Sequence, residues 1–253
     1  MYSLTLLIAA IVIASGIATA AILLSRKPRP TIPTQPAVLV VDDNQDITDL
    51  LSTVLHTKGY TAFTAASGQE CLDQLKKQIP DVILLDIMME PMDGWKTLER
   101  IRADPKTKSI PVLMITAKPL TPEDVRQYRV CIDDYITKPF SNAEIFAAVA
   151  HVIERKKKVM ESLASVRKAG VKQETFCELQ KLSKRVDVDK KLLDLLQQRH
   201  EGRVAEPLDA GGELRSTVEL LINSTRISEA RLEELRRQIT AVCRSKGCPV
   251  PEL

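Results

Sequence analysis

Two rhythms of apolar and polar positions run along this chain, and each predicts a different kind of element. Short apolar runs at 37–41, about 60–65, 81–86, 111–116 and 133–137 predict strands. The first, third and fourth are unbroken: Val38-Leu39-Val40-Val41, Val82-Ile83-Leu84-Leu85 and Pro111-Val112-Leu113-Met114-Ile115. Parallel strands buried on both faces have this character. Between the runs, apolar residues return at helical spacing. Ile47, Leu50, Leu51, Val54 and Leu55 mark one helix, Cys71, Leu72 and Leu75 a second, Trp95, Leu98 and Ile101 a third. The segment 122–130 is short and polar, which predicts the least firmly held helix, and Ile145, Val149 and Val152 open a fifth. Five strand–helix units with short connections predict a doubly wound, three-layer α/β domain.

Past residue 152 only the helical rhythm continues. Lys156, Val159, Leu163 and Val166 extend the fifth pattern into one helix over about 142–168, ending near Gly170. Phe176, Leu179, Leu182, Val186, Leu192, Leu193 and Leu196 mark a second helix. After a glycine- and proline-containing loop at 201–212, a third runs from Leu214 to Val242 in steps of four and three, with Thr225 and Ser228 as a polar interruption. This is bundle or coiled-coil spacing. The stripes must be buried, either against one another within the chain or against a second copy in a dimeric coiled coil.

A different pattern opens the chain. From Tyr2 to Ser25 there is no charged residue, and Arg26-Lys27-Pro28-Arg29 follows at once. A helix of that length, at about 1.5 Å per residue, spans roughly the 30 Å of a hydrocarbon core. A cleavable leader has a basic start and a shorter apolar stretch. The expectation is therefore a single-pass anchor in the cell membrane, with the basic flank and everything after it cytoplasmic. Pro28, Pro30, Pro33 and Pro36 predict a semi-rigid spacer. The expected organisation is a transmembrane helix at 1–25, a basic, proline-rich linker at 26–36, the α/β domain at 37–152 and a helical interaction region at 153–253.

Charge divides the same way. Residues 1–36 carry three basic and no acidic side chains, residues 37–150 carry 12 basic and 17 acidic, and residues 151–253 carry 21 basic and 16 acidic. The acidic middle suits a cation site, and the basic remainder suits acidic partners or anionic lipid. Aromatic residues make up only 4% of the chain, low for an enzyme with a large apolar pocket. The five cysteines form no CxxC pair, so free thiols are expected, with a Cys243–Cys248 disulfide as the alternative.

Candidate chemistry gathers where apolar runs give way to loops. Asp42 and Asp43 follow the first run, Asp86 ends the third, Thr116 ends the fourth, and Lys138 follows the fifth. A parallel sheet brings those ends to one edge, where open α/β sheets hold their ligands. Three carboxylates, a hydroxyl and a lysine there suggest a divalent cation and a phosphoryl group.

The segments Val-Leu-Val-Val-Asp-Asp-Asn (38–44), Ile-Leu-Leu-Asp-Ile-Met-Met (83–89), Met-Asp-Gly-Trp (92–95), Ile-Thr-Ala-Lys (115–118) and Asp-Asp-Tyr-Ile-Thr-Lys-Pro-Phe (133–140) occur in that order. Together they resemble the receiver domain of two-component response regulators. The resemblance implies a flavodoxin-like sheet of order 2-1-3-4-5. It implies Asp86 as phosphoacceptor from a sensor histidine kinase, with self-catalysed phosphorylation and dephosphorylation rather than a classical enzyme activity. It further implies Mg²⁺ held by Asp43, Asp86 and the main-chain carbonyl of Met88, with Asp42 acting through water. Lys138 and Thr116 would contact the phosphoryl oxygens, and Thr116 with Tyr135 would form the switch. The alternative for Tyr135 is a half-exposed edge tyrosine. Two positions depart from the family pattern. Glu90 stands where proline is usual, with Pro91 one later, and Cys131-Ile132 replaces a common Gly-Ala pair, so the preceding helix is expected to end differently.

The functional expectation is a membrane-anchored response regulator that signals through its helices to an unidentified output protein, with homodimerisation open. A DNA-binding regulator and a non-switching scaffold that only docks partners are the alternatives. No turn glycine or recognition-helix pattern at 172–199 favours nucleic acid as a partner.

Overall fold

The computed structural model describes residues 35–117, 120–201, 211–248 and 250. The anchor expected at 1–25 and most of its linker lie outside the described residues. No helix among those described is long and apolar enough to cross a membrane.

Five strands, β1 (Ala37–Val41), β2 (Thr61–Ala65), β3 (Val82–Asp86), β4 (Val112–Thr116) and β5 (Asp134–Thr137), form one parallel sheet of order β2-β1-β3-β4-β5. Alternate residues feed opposite faces, as strand geometry dictates. Leu39, Val41, Ile83, Leu85 and Met114 share one buried cluster with Cys71, Leu98 and Ile101. Val38, Val40, Leu84, Leu113 and Ile115 share the other with Leu51, Leu55, Ile145 and Val149. Helices α2 (Gly68–Lys77), α3 (Gly94–Ala103) and α4 (Pro122–Tyr128) thus cover the first face, and α1 (Gln45–Thr57) and α5 (Asn142–Lys168) the second.

Local sequence starts the first five helices. Asn44, Ser67 and Asp93 accept hydrogen bonds from first-turn N–H groups, and Thr121 and Ser141 form reciprocal capping boxes with Asp124 and Glu144. The fourth helix stops at Tyr128, earlier than the 130 expected. Arg129 caps it, and the Cys131 N–H reaches back to the Tyr128 carbonyl at 2.8 Å.

Beyond the sheet, α5 runs on unbroken to Lys168, through residue 152 where a domain boundary was expected. Helices α6 (Gln173–Glu201) and α7 (Gly211–Ser245) form an antiparallel pair. The start of α6 packs on the end of α7, where Phe176 and Leu179 join Leu232, Leu235, Ile239 and Cys243, together with Val166 and Ala169 at the end of α5. The other end of the pair lies on the α/β domain. Val188, Leu192 and Leu196 of α6 and Leu221 of α7 belong to the same buried cluster as the first sheet face. Of the two arrangements open from the stripes, the chain shows the intrachain one. All five cysteines are free thiols.

Candidate functional site

Parallel pairing delivers the expected residues to one edge. Val41 lies beside Leu85, Asp86 beside Ile115, and Thr116 beside Thr137. Asp42 therefore follows β1, Asp86 closes β3, Thr116 closes β4, and Lys138 follows β5. Asp42, Asp86 and Thr116 are buried, and Lys138 is partly so.

Lys138 ties the edge together. Its Nζ donates to Asp42 Oδ2 at 2.6 Å and to Asp86 Oδ1 at 2.9 Å. Its backbone N–H donates to the Thr116 carbonyl at 2.8 Å, which fixes the strand exit that aims the side chain. The second Asp86 oxygen accepts the Met88 N–H at 2.6 Å, and Asp42 Oδ1 accepts the Asn44 N–H at 3.0 Å. Asp43 is exposed and takes no part in this network, and the Met88 side chain is exposed as well.

Charge state follows from this packing. Burial holds the Asp86 carboxyl above its ordinary value, against the hydrogen bond and charge of Lys138, and nearby Asp42 pushes the same way as burial. For Lys138, burial pulls down, but hydrogen bonds to Asp42 and Asp86 outweigh it and leave the ammonium above its usual range. It is charged at neutral pH.

The donor set also bears on a metal. Among the described residues no three acidic, histidine or cysteine side chains gather into a ready-made cage. Mg²⁺ rarely uses one; it takes one or two carboxylates and keeps waters and phosphate oxygens for the rest. Asp42, Asp43 and Asp86 against Lys138 leave a formal excess of two negative charges around oxygen-only donors, which fits such an ion.

Two features of the site escaped sequence reasoning. Gly94 opens α3 so close to the strand end that a Cβ there would stand 2.1 Å from the Asp86 carbonyl oxygen, so only glycine allows the helix this approach. The Met-Asp-Gly-Trp motif was the available signal. The second feature is the cover over β5. Tyr135 is 2% exposed, in the cluster that contains Val188 and Leu192 of α6. The alternative of a half-exposed edge tyrosine does not hold, because α6 packs over the strand. Polar contacts accompany this cover: Arg129 Nη1 meets Asp189 Oδ2 at 2.8 Å, and Lys191 meets Asp134. Partners some sixty residues apart leave no local signal.

Comparison with known proteins agrees with this geometry. Residues 38–150 match the family described as Response regulator receiver domain, and residues 155–243 match Metanogen output domain 2. A "Probable transcriptional regulator ycf27" of Guillardia theta is 37% identical over 125 residues, 49% of this chain and 48% of that protein. The protein of the same description from Pyropia yezoensis is 35% identical over 126 residues, 50% of this chain and 51% of that one. The chain thus spans about half the length of these curated relatives. Among solved structures, the N-terminal domain of a response regulator receiver protein from Methanoculleus marisnigri JR1 is 55% identical, with a TM-score of 0.40, over 46% of this chain and 94% of that one. The chemotaxis protein CheY4 of Vibrio cholerae is 30% identical, with a TM-score of 0.44, over 47% and 98%.

Proposed function

Residues 38–150 are a response regulator receiver domain, and on that premise we propose that Asp86 accepts a phosphoryl group from the phosphohistidine of a sensor histidine kinase. The observation that carries the reading is Lys138 bridging Asp42 and Asp86 at the strand ends. An Asp86 oxygen attacks phosphorus, the P–N bond breaks, and the histidine nitrogen leaves with its electron pair. A carboxylate is a weak nucleophile, so positioning and charge neutralisation supply the catalysis. The ammonium of Lys138 leaves Asp86 for a phosphoryl oxygen, and the Thr116 hydroxyl donates to another. Asp43, Asp86 and the Met88 carbonyl, with Asp42 through water, are the residues that would hold Mg²⁺. When bound, the ion supplies positive charge to the crowded oxygens.

The output proposed is a change in how α6 and α7 sit on β5. Movement at Thr116 reaches Tyr135 one strand over, and Tyr135 shares its buried cluster with Val188 and Leu192. A local charge event would then bias a two-state packing. In this reading the apolar segment 2–25 holds the protein at the membrane with both folded parts in the cytoplasm, and the released helices meet an output protein.

Incubation of the protein with Mg²⁺ and a small phosphodonor, followed by intact mass, tests the chemistry. One phosphoryl increment is expected on the wild type and none on Asp86→Asn. An unmodified wild type, or an increment that survives the substitution, refutes the assignment.

A further inference from the structure

At the opposite edge of the sheet, Asp133 enters β5 and collects three cations. Its Oδ1 meets Lys184 Nζ at 2.8 Å and Arg155 Nη2 at 3.3 Å; its Oδ2 meets Arg102 Nη2 at 3.0 Å and the Val112 N–H at 3.0 Å. One carboxylate cannot neutralise three cations. Asp187 is the nearest help, 3.7 Å from Arg155, and it is half exposed. The cluster is not a solvated face, since Arg102 is only 17% exposed and Asp133 8%. Burial depresses the basicity of Lys184, and repulsion from Arg102 and Arg155 adds to it. Surplus charge out of water is costly unless something of opposite sign completes it.

This cluster forms one wall of an open cavity of about 810 Å³ between α5, α6 and the segment leading into β4. Seven basic and only three acidic side chains line it. Lys108, Lys158 and Lys181 are among the seven, and none of these makes an ion pair among the described residues. Val152, Val159 and Leu179 supply an apolar floor. Gln180 lies in the wall with its Nε2 buried and without a hydrogen-bond partner, so turning that amide toward an occupant breaks nothing. The volume is that of a small-molecule site. Arginine and lysine in surplus suit phosphate oxygens.

We propose that this cavity binds a small, multiply charged phosphate ester of nucleotide size, seated between α5 and α6 and independent of Asp86. The occupant would complete the charge around Asp133 and fasten α6 to the receiver domain. The site thus gives the joint between the two parts a second, ligand-borne input.

Calorimetric titration of the full chain with inorganic pyrophosphate and with ATP, without Mg²⁺ and at about 0.15 M salt, tests it. Saturable one-to-one binding is expected, tighter for ATP because the apolar floor then contributes. Lys158→Ala combined with Lys181→Ala, both at the cavity lining and outside the buried cluster, should weaken it at least tenfold. Lys76→Ala on α2 and Asp86→Asn should leave it unchanged. Absence of saturable binding, or equal binding by the double variant, overturns the proposal. Loss in Asp86→Asn assigns the binding to the strand-end site and also overturns it. So does co-sedimentation with anionic phospholipid vesicles in the absence of any pyrophosphate binding.

Discussion

Replacing Arg129 with alanine strips the nearest cation among the described residues from a fully buried carboxylate. Asp189 has a side chain 0% exposed, and Arg129 one 10% exposed, at 2.8 Å. Asp189 Oδ1 has no hydrogen-bond partner already, and Oδ2 keeps only the Ser224 hydroxyl at 3.2 Å once Arg129 is gone. Breaking such a pair from one side typically costs about 3–5 kcal/mol. Arg185 Nε stands 4.0 Å from the same oxygen, lacks a hydrogen-bond partner of its own, and can swing toward it. The expected loss is therefore at the lower end, about 3 kcal/mol. Because the pair joins α4 to α6, the loss falls on docking of the helical pair. Amide exchange along α6 and α7 should rise about a hundredfold, against little change in β1, β3 and β4. Arg129→Leu with Asp189→Leu should recover most of the protection, since no buried carboxylate is left unpaired. A cost under about 1 kcal/mol for Arg129→Ala, or a double variant that exchanges as fast as the single one, contradicts a docking role for this pair.

Four further outcomes are expected. Asp86→Asn should raise the thermal unfolding temperature at pH 7, because burial holds this carboxyl above its ordinary 3.8 and its ionised form penalises the fold. That penalty is present above the raised folded value and vanishes below 3.8, so melts repeated at falling pH should show the gain shrinking; a constant gain contradicts the assignment. Lys138→Met should abolish phosphorylation from a small donor while far-ultraviolet circular dichroism stays native, and chelation of Mg²⁺ should do the same to the wild type. Gly94→Ala should cost roughly 1–3 kcal/mol in denaturant unfolding, since its Cβ meets the Asp86 carbonyl, a backbone atom that cannot give way cheaply. Timed alkylation near pH 8 should label Cys131 and Cys177 well before Cys71, whose thiol is buried and pushed up to about 12.

The strands were legible because a parallel sheet covered on both faces demands unbroken apolar runs, and β1, β3 and β4 supply them. Asp42, Asp86, Thr116 and Lys138 were legible for a related reason: strand ends are marked by the change from apolar to polar, and parallel order forces those ends together. The close approach at Gly94 was not, because a glycine in a motif reads the same whether it makes a turn or admits a neighbouring backbone.

Sequence alone specifies the set of elements, the face each helix must bury, and the residues that parallel order carries to one edge. Periodicity is a local property, and it survives any arrangement of the parts. What those faces meet is settled by the folded chain. The stripe on α6 states that Leu192 and Leu196 must leave water, but not that they do so over β5 beside Tyr135. Nor does it tell that Asp133 would draw Arg102, Arg155 and Lys184 to one carboxylate. Burial of apolar area is non-directional, so a stripe accepts any apolar partner. Here the choice falls to the charge pairs and shape of the particular surfaces, and these exist only once the chain has folded.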